Sequence, residues 1–256
     1  MSTVEIIHLD ETSSTNDYLK GYKPKADITA VYADYQSAGR GQSGAWYSPK
    51  GENLMFSLLV TPPDLPIADS FIISQAMALA LKDAIQEFAG NVEIKWPNDI
   101  YVGGHKMCGT LIENTLHGKM LDRCIIGTGV NINQKIFPEG LAAPPTSIYL
   151  LSGKQVEPEK LLKAIMTHFQ PYYDAIVSYL IEPSNQRNAD SINKIRTLYH
   201  HSLYLKGSPH LFEDGHGQFI GTISHVENNG HIIITDDSGN SRSYGFKEVK
   251  LIHNKI

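Results

Sequence analysis

Apolar residues recur through residues 67–90, "IADSFIISQAMALALKDAIQEFAG", at Phe71, Ile72, Ala76, Leu79, Ala80, Ile85 and Phe88, ahead of Gly90. Spacing of three and four closed by a glycine predicts a long helix lying on a core. A second helical pattern fills 157–182, where Pro171 predicts a bend or a break. Shorter runs rich in β-branched and aromatic residues predict strands: "VEIIHL" (4–9), "ITAVYADY" (28–35), "NLMFSLLV" (53–60), "VEIK" (92–95), "DIYV" (99–102), "HKMCGTLIEN" (105–114) and "CIIGTGVNIN" (124–133). Ser13, Ser14 and Thr15 offer N-caps for a short helix ending near Gly21, and Gly103-Gly104 suits a hairpin turn.

After about Arg196 the texture changes. Residues 199–256 alternate short β-type runs with the turn signals "GSP", "EDGHG", "ENNG" and "DDSG", which predicts a small barrel of about five strands. The expected organisation is therefore a larger domain, 1–196, and a small C-terminal β-domain, 197–256. In the larger one, strands neighbour strands instead of alternating strictly with helices. That favours an α+β fold, a mixed sheet with helices on one face.

Charge narrows the function classes. Lys and Arg total 22 against 27 Asp and Glu, a net charge of −5, which gives no general attraction to a nucleic-acid backbone. The two cysteines, Cys108 and Cys124, sit in apolar runs without metal or redox spacing and read as buried thiols of a reducing compartment. The N-terminus lacks the basic flank and apolar core of a signal peptide, and no apolar run reaches the ~18 residues of a membrane span. A cytoplasmic protein with no membrane contact is expected.

Three clusters carry candidate chemistry. In "GRGQSGAW", Gly39, Gly41 and Gly44 allow close backbone approach around Arg40, with Trp46 at the edge. Such a loop can fold over an anion or be only a turn, and it matches neither a Walker loop nor a dinucleotide fingerprint. In "KWPNDIYVGGHKMCGTLIEN", Asn98 and Asp99 open a strand after Pro97, and Lys106 follows the diglycine turn. Lys106 either points inward from a rigid strand or is solvated at its edge. In "GTGVNIN", Gly127 and Gly129 clear one strand face for a ligand or mark a bulge, and Asn131 and Asn133 add paired donors and acceptors.

Taken together, "SSTN", "YQSAGRG", "KWPND", the following "KMCGTLIE", "GVNIN" and a terminal β-domain resemble the biotin protein ligase family in order and wording, over nearly the whole chain. The look-alike lipoate ligases and octanoyltransferases share the general fold without this combination. The resemblance implies a catalytic domain like that of class II synthetases, a C-terminal SH3-like β-barrel, and a two-step reaction. Biotin and ATP form biotinyl-5′-adenylate, and the biotinyl group then passes to a lysine of a biotin carboxyl carrier protein or domain, of acetyl-CoA carboxylase or another biotin-dependent carboxylase. The alternatives are a lipoate or octanoate ligase or transferase, and a non-catalytic biotin sensor.

By the same resemblance, Ser14, Thr15, Asn16, Gln36, Gly39, Arg40, Gly41, Gln42, Lys106, Gly109, Gly127 and Gly129 line the biotin site. Arg40, Gln42, Trp46, Asn98, Asp99, Lys106 and Asn131 line the nucleotide site, Lys106 and Arg40 are catalytic, and Asp99 holds Mg²⁺ or orients the acceptor amine. The glycine-rich loop is expected to act as a cationic lid that screens two anions and shields the mixed anhydride from water. The chain departs from many relatives at Gln42, where they carry a second arginine. It begins at the first catalytic strand, so DNA binding is not expected, while homodimerisation stays open. Because every chemical residue precedes Arg196, the small domain is expected to serve docking or closure.

Overall fold

The computed structural model describes residues 1–41, 44–45, 48–141 and 143–252. In chain order the elements are β1 (Val4–Leu9), α1 (Thr15–Lys20), β2 (Ile28–Ala33), the short pair β3 (Arg40–Gly41) and β4 (Gly44–Ala45), β5 (Leu54–Val60), α2 (Phe71–Ala89), β6 (Val92–Lys95), β7 (Asp99–Val102), β8 (His105–His117) and β9 (Met120–Val130). Helices α3 (Ile148–Ser152), α4 (Pro158–Ile181) and α5 (Asp190–His201) follow, then β10 (Pro209–Asp214), β11 (Gly217–Val226), β12 (Ile232–Asp236), β13 (Ser241–Tyr244) and β14 (Lys250–Leu251).

A seven-stranded sheet runs in the order β1-β2-β5-β9-β8-β7-β6, parallel only between β1 and β2. Every residue of β2 and β5 is buried. Both strands are central and covered on both faces, which is why they read as continuous apolar runs and not as alternating ones. Helices α2, α4 and α5 cover one face and join Ala30, Phe56, Leu58 and Ile126 in the main core. On the other face α1 packs Leu19 against Val31, Leu59 and Ile125. The sheet is thus helix-covered on both faces, unevenly, where the sequence pattern favoured one.

One helical expectation is narrowed and one further helix appears. Helix α4 runs through Pro171 without a break. Pro171 and Thr167 both lie on the exposed side of the helix, where a carbonyl left without its helical donor can reach water and costs little. Helix α5 runs past Arg196, burying Ile192, Ile195 and Tyr199 at helical spacing, so the position chosen for the domain boundary falls inside a helix. Beyond it, the strand order β13-β12-β11-β10-β14 makes a five-stranded antiparallel sheet consistent with a small SH3-like domain. Its Phe212, Val226, Ile232, Ile234 and Tyr244 belong to the same apolar cluster as α2 and α5. Among the described residues no helix is long and apolar enough to cross a membrane.

Candidate active site

Side chains alternate across a strand, so register decides which residues share the α1 face of the sheet. Pairings Met55↔Gly129↔Gly109 and Ser57↔Gly127↔Leu111 put three glycines on that face, on the adjacent strands β8 and β9. At one end, the Ser57 hydroxyl donates to Asn16 Oδ1 at 2.6 Å and its oxygen lies 2.7 Å from Thr15 Oγ1, and the Asn16 amide donates to Glu113 Oε2 at 2.7 Å. A Cβ on Gly127 would lie 2.8 Å from Asn16 Cγ, so this glycine makes room for the Asn16 amide. Ser14 caps α1 by accepting from the Asp17 N–H, and Gln36 Oε1 accepts from both the Thr15 N–H (2.7 Å) and its hydroxyl (3.1 Å). Ser14, Thr15 and Asn16 are each at most 5% exposed, so this polar corner is held by the fold itself.

At the other end stands an ion pair. Lys106 Nζ donates to Asp99 Oδ2 at 2.6 Å, with the two side chains 30% and 17% exposed. Gly109 lies directly beneath: a Cβ there would sit 3.2 Å from Lys106 Nζ and 3.4 Å from Asp99 Oδ1. Asp99 Oδ1 is buried and has no partner among the described residues. An unsatisfied buried carboxylate oxygen is costly, so its retention marks a place where a ligand group or cation completes the set. The strand that carries Lys106 is braced by the segment after Pro144. The Lys106 N–H donates to Pro144 O at 2.8 Å, the Thr146 N–H donates to Lys106 O at 3.0 Å, and Asn131 Nδ2 donates to Thr146 O at 3.0 Å. Asn98 is buried in the turn just before β7.

Arg40 lies over α1. Its Nη2 donates to Asp17 Oδ1 at 2.6 Å and lies 3.9 Å from Glu113 Oε2, while Lys20 pairs with the same two carboxylates at 2.7 and 3.1 Å. The hydrogen bond from Lys20, with the Arg40 charge behind it, outweighs partial burial and holds Asp17 below the usual carboxylate range. Burial pushes Glu113 up, but the bonds from Asn16 and Lys20 and the two cations outweigh it and hold Glu113 low as well. The thiols take no part. Burial raises both, Cys124 to about 12, so they stay protonated.

The structure brings Ser14, Thr15, Asn16, Gln36 and Gly127 together at one corner and Asp99, Lys106 and Gly109 at the other. Gly39 is buried, and Gly41 and Gly129 are half-buried. Gln42 and Trp46 lie outside the described residues. Asn131 gives one of its two amide donors to Thr146 O, and Asn133 bonds Val156 through both its amide nitrogen and oxygen, at 2.9 and 3.0 Å. Sequence reasoning missed Ser57, Glu113 and Asp17. Glu113 carried a signal, since it follows Gly109 and Leu111 at alternate positions on β8.

Residues 9–131 match the model of the biotin/lipoate A/B protein ligase family. The chain is 28% identical over 220 residues to the bifunctional ligase/repressor BirA of Bacillus subtilis, covering 84% of this chain but 64% of that protein, less than two thirds of its length. It is 29% identical over 239 residues to the biotin–[acetyl-CoA-carboxylase] ligase of Paracoccus denitrificans, covering 90% of this chain and 94% of that one. Among solved structures, the Aquifex aeolicus biotin protein ligase in complex with biotin and ATP superposes with a TM-score of 0.77 at 25% identity, over 97% of this chain and 98% of that one.

Proposed function

We propose that this chain, whose residues 9–131 match the biotin/lipoate A/B protein ligase family and which aligns over nearly its full length with a biotin–[acetyl-CoA-carboxylase] ligase, is a biotin protein ligase, using ATP to activate biotin and a biotin carboxyl carrier protein or domain as acceptor. The observation that carries this reading is the Lys106–Asp99 pair seated on Gly109, on the sheet face whose polar corner is set by Thr15, Asn16 and Gln36. In the first step a biotin carboxylate oxygen attacks the α-phosphorus of ATP, the bond to pyrophosphate breaks, and both reactants are anionic. Lys106 offsets charge as they meet, acting as a compact cation fixed before the reaction begins. In the second step the carrier lysine attacks the acyl carbon and AMP departs. The free Asp99 Oδ1 is placed to accept a hydrogen bond from that amine. The same oxygen fits Mg²⁺, which takes one or two carboxylates together with substrate phosphates and would neutralise phosphate charge when bound.

Ser14, Thr15, Asn16 and Gln36 bind the biotin head, Gly127 seats the Asn16 amide, Gly109 and Gly129 clear the track beneath the ligand, and Arg40, Gly41 and Gln42 close over it. Asn98 and Trp46 are assigned to the nucleotide. Asn131 is assigned to the nucleotide, with one of its two amide donors holding the segment that braces Lys106 and the other left for the ligand. The division of labour places catalysis in the large sheet and its helices, with the small C-terminal sheet as a second unit that begins after α5. A cytoplasmic setting fits two free, buried thiols.

The experiment is one incubation with ATP, biotin and a biotin carrier domain, read by the mass of the carrier. A gain equal to one biotinyl group, dependent on ATP and not reproduced by lipoate or octanoate, is expected. Modification by lipoate or octanoate alone would move the reading to that branch of the family, and biotin binding without adenylate would make the protein a sensor.

A further inference from the structure

The turn that delivers Asp99 is held from outside by the C-terminal part of the chain. The Trp96 indole N–H donates to the Gly230 carbonyl at 2.9 Å, and its ring meets Phe246 edge-on with centroids 6.4 Å apart. The Tyr199 hydroxyl donates to Pro97 O at 2.6 Å. On the preceding strand, the Ile94 N–H donates to Ser202 O at 2.7 Å and Ile94 O accepts from the Tyr204 N–H at 2.9 Å. Gly230 is itself pressed onto α2. Its φ is +91°, and a Cβ there would lie 2.8 Å from the Phe71 ring. Residues 96–98 alone separate β6 from β7, so Trp96 is three positions from Asp99. So short a connection transmits a displacement instead of absorbing it, and the Asp99–Lys106 pair lies at its far end.

We propose that Trp96 is a positioning residue: its hydrogen bond to Gly230 lets the seating of the C-terminal sheet set where Asp99 stands against Lys106, and hence the rate of adenylate formation. This rests on the ligase reading. It changes the part played by the small sheet, which acts on the first chemical step as well as on docking. It also explains why the WPND turn carries a tryptophan. A phenylalanine would fill the space beside Phe246, but only the indole also reaches a backbone carbonyl on the other unit. Catalytic groups displaced by about 1 Å lose on the order of a hundredfold in rate, so one hydrogen bond that fixes the turn has leverage on the chemistry.

The test is a double-mutant cycle on the full chain. Trp96→Phe keeps a ring against Phe246 and deletes the N–H, while Asp99→Asn removes the charge through which Trp96 is argued to act. Biotin-dependent pyrophosphate exchange of the wild type and the three variants gives kcat and KM. Trp96→Phe is expected to lower kcat about tenfold or more, with KM for biotin within about twofold because the Thr15–Asn16–Gln36 corner is undisturbed. In the Asp99→Asn background the same change is expected to add less than about twofold, as coupled residues are not additive. An unchanged kcat, or losses that multiply in full, overturns the proposal. A second readout needs no activity. Brief acetylation with acetic anhydride, read by mass spectrometry, should label Lys106 severalfold faster in Trp96→Phe, with Lys163 on α4 as the internal reference. Equal labelling overturns the proposal even if the wild type shows no exchange, an outcome that would sink the ligase reading by itself. If Trp96→Phe does not fold, Tyr199→Phe, which frees Pro97 O on the same turn, must give the same pattern.

Discussion

Gly127→Ala tests whether the close approach at Asn16 is what orders the polar corner. The new Cβ would stand 2.8 Å from Asn16 Cγ, a separation that real Cβ atoms essentially never show. Either the strand and α1 move apart, at the ~1–3 kcal/mol typical of an overpacked site, or the amide swings away. Swinging away gives up its bond to the Glu113 carboxylate, about 1.5–3 kcal/mol for a charged partner, and its bond from Ser57, about 1 kcal/mol more. Both routes converge on about 3 kcal/mol, which for a chain of this size is about 6–12 °C in Tm. The assay is denaturant unfolding of Gly127→Ala, Asn16→Ala and the double variant, with biotin affinity measured in parallel. Shortening Asn16 removes the atom that the added methyl would meet, so the double variant should be at least about 1 kcal/mol more stable than the sum of the single losses. Additivity within about 0.5 kcal/mol, or a Gly127→Ala cost below that, would refute the reasoning and leave Gly127 as a plain strand glycine.

Lys106→Ala should fold and bind biotin yet release pyrophosphate about a hundredfold more slowly or worse; near-normal release would take Lys106 out of the mechanism. Glu113 is held below its ordinary range in the folded protein, so its ionised form contributes stability above the unfolded value, and that contribution is lost as pH falls through the folded one. Glu113→Gln should therefore lose less stability than the wild type between about pH 7 and about pH 3, as read by denaturant midpoints; parallel curves would show that Glu113 is not part of the acid response. Gln42→Arg adds a cation to the loop that is assigned to the phosphate, and should slow release of pre-formed biotinyl-adenylate on the order of tenfold. An unchanged off-rate would mean that residue 42 does not reach the ligand.

Strand positions and helix faces were legible where periodicity was strong, whereas the order of the strands in the sheet was not. The buried runs of β2 and β5, the stripe of α2 and the turn-rich C-terminal sheet all appear in the sequence close to where they lie in space. Helix α5 was equally legible in principle, with Ile192, Ile195 and Tyr199 on one face, but its polar remainder resembles a linker. The helix through Pro171 was not legible, because whether proline breaks a helix depends on what the freed carbonyl faces. At the candidate site, motif wording singled out Lys106, Asp99 and Asn16, which the structure sets on one face of the sheet. Ser57 and Asp17 stayed hidden, since a serine inside an apolar strand and an aspartate on a short helix carry no pattern. Only the register against Gly127, and the fold of β3 over α1, bring them to the site.

The exposed pairing of Arg40 with Asp17 gives the resting protein a latch with almost no holding force. Exposed ion pairs are worth about 0–1 kcal/mol, and here both side chains are close to half accessible. Exchanging a carboxylate for a phosphate group therefore changes the energy of the arginine very little, and the total charge of the arriving ligand decides which anion it keeps. Lys20 stays with Asp17 and Glu113 when Arg40 leaves, so neither carboxylate is stranded. On the proposed ligase reading, closure of Arg40 over a nucleotide would then be a substitution between near-equal partners: fast in both directions, weakened by salt in both states, and biased toward the ligand only while the ligand still carries its charge.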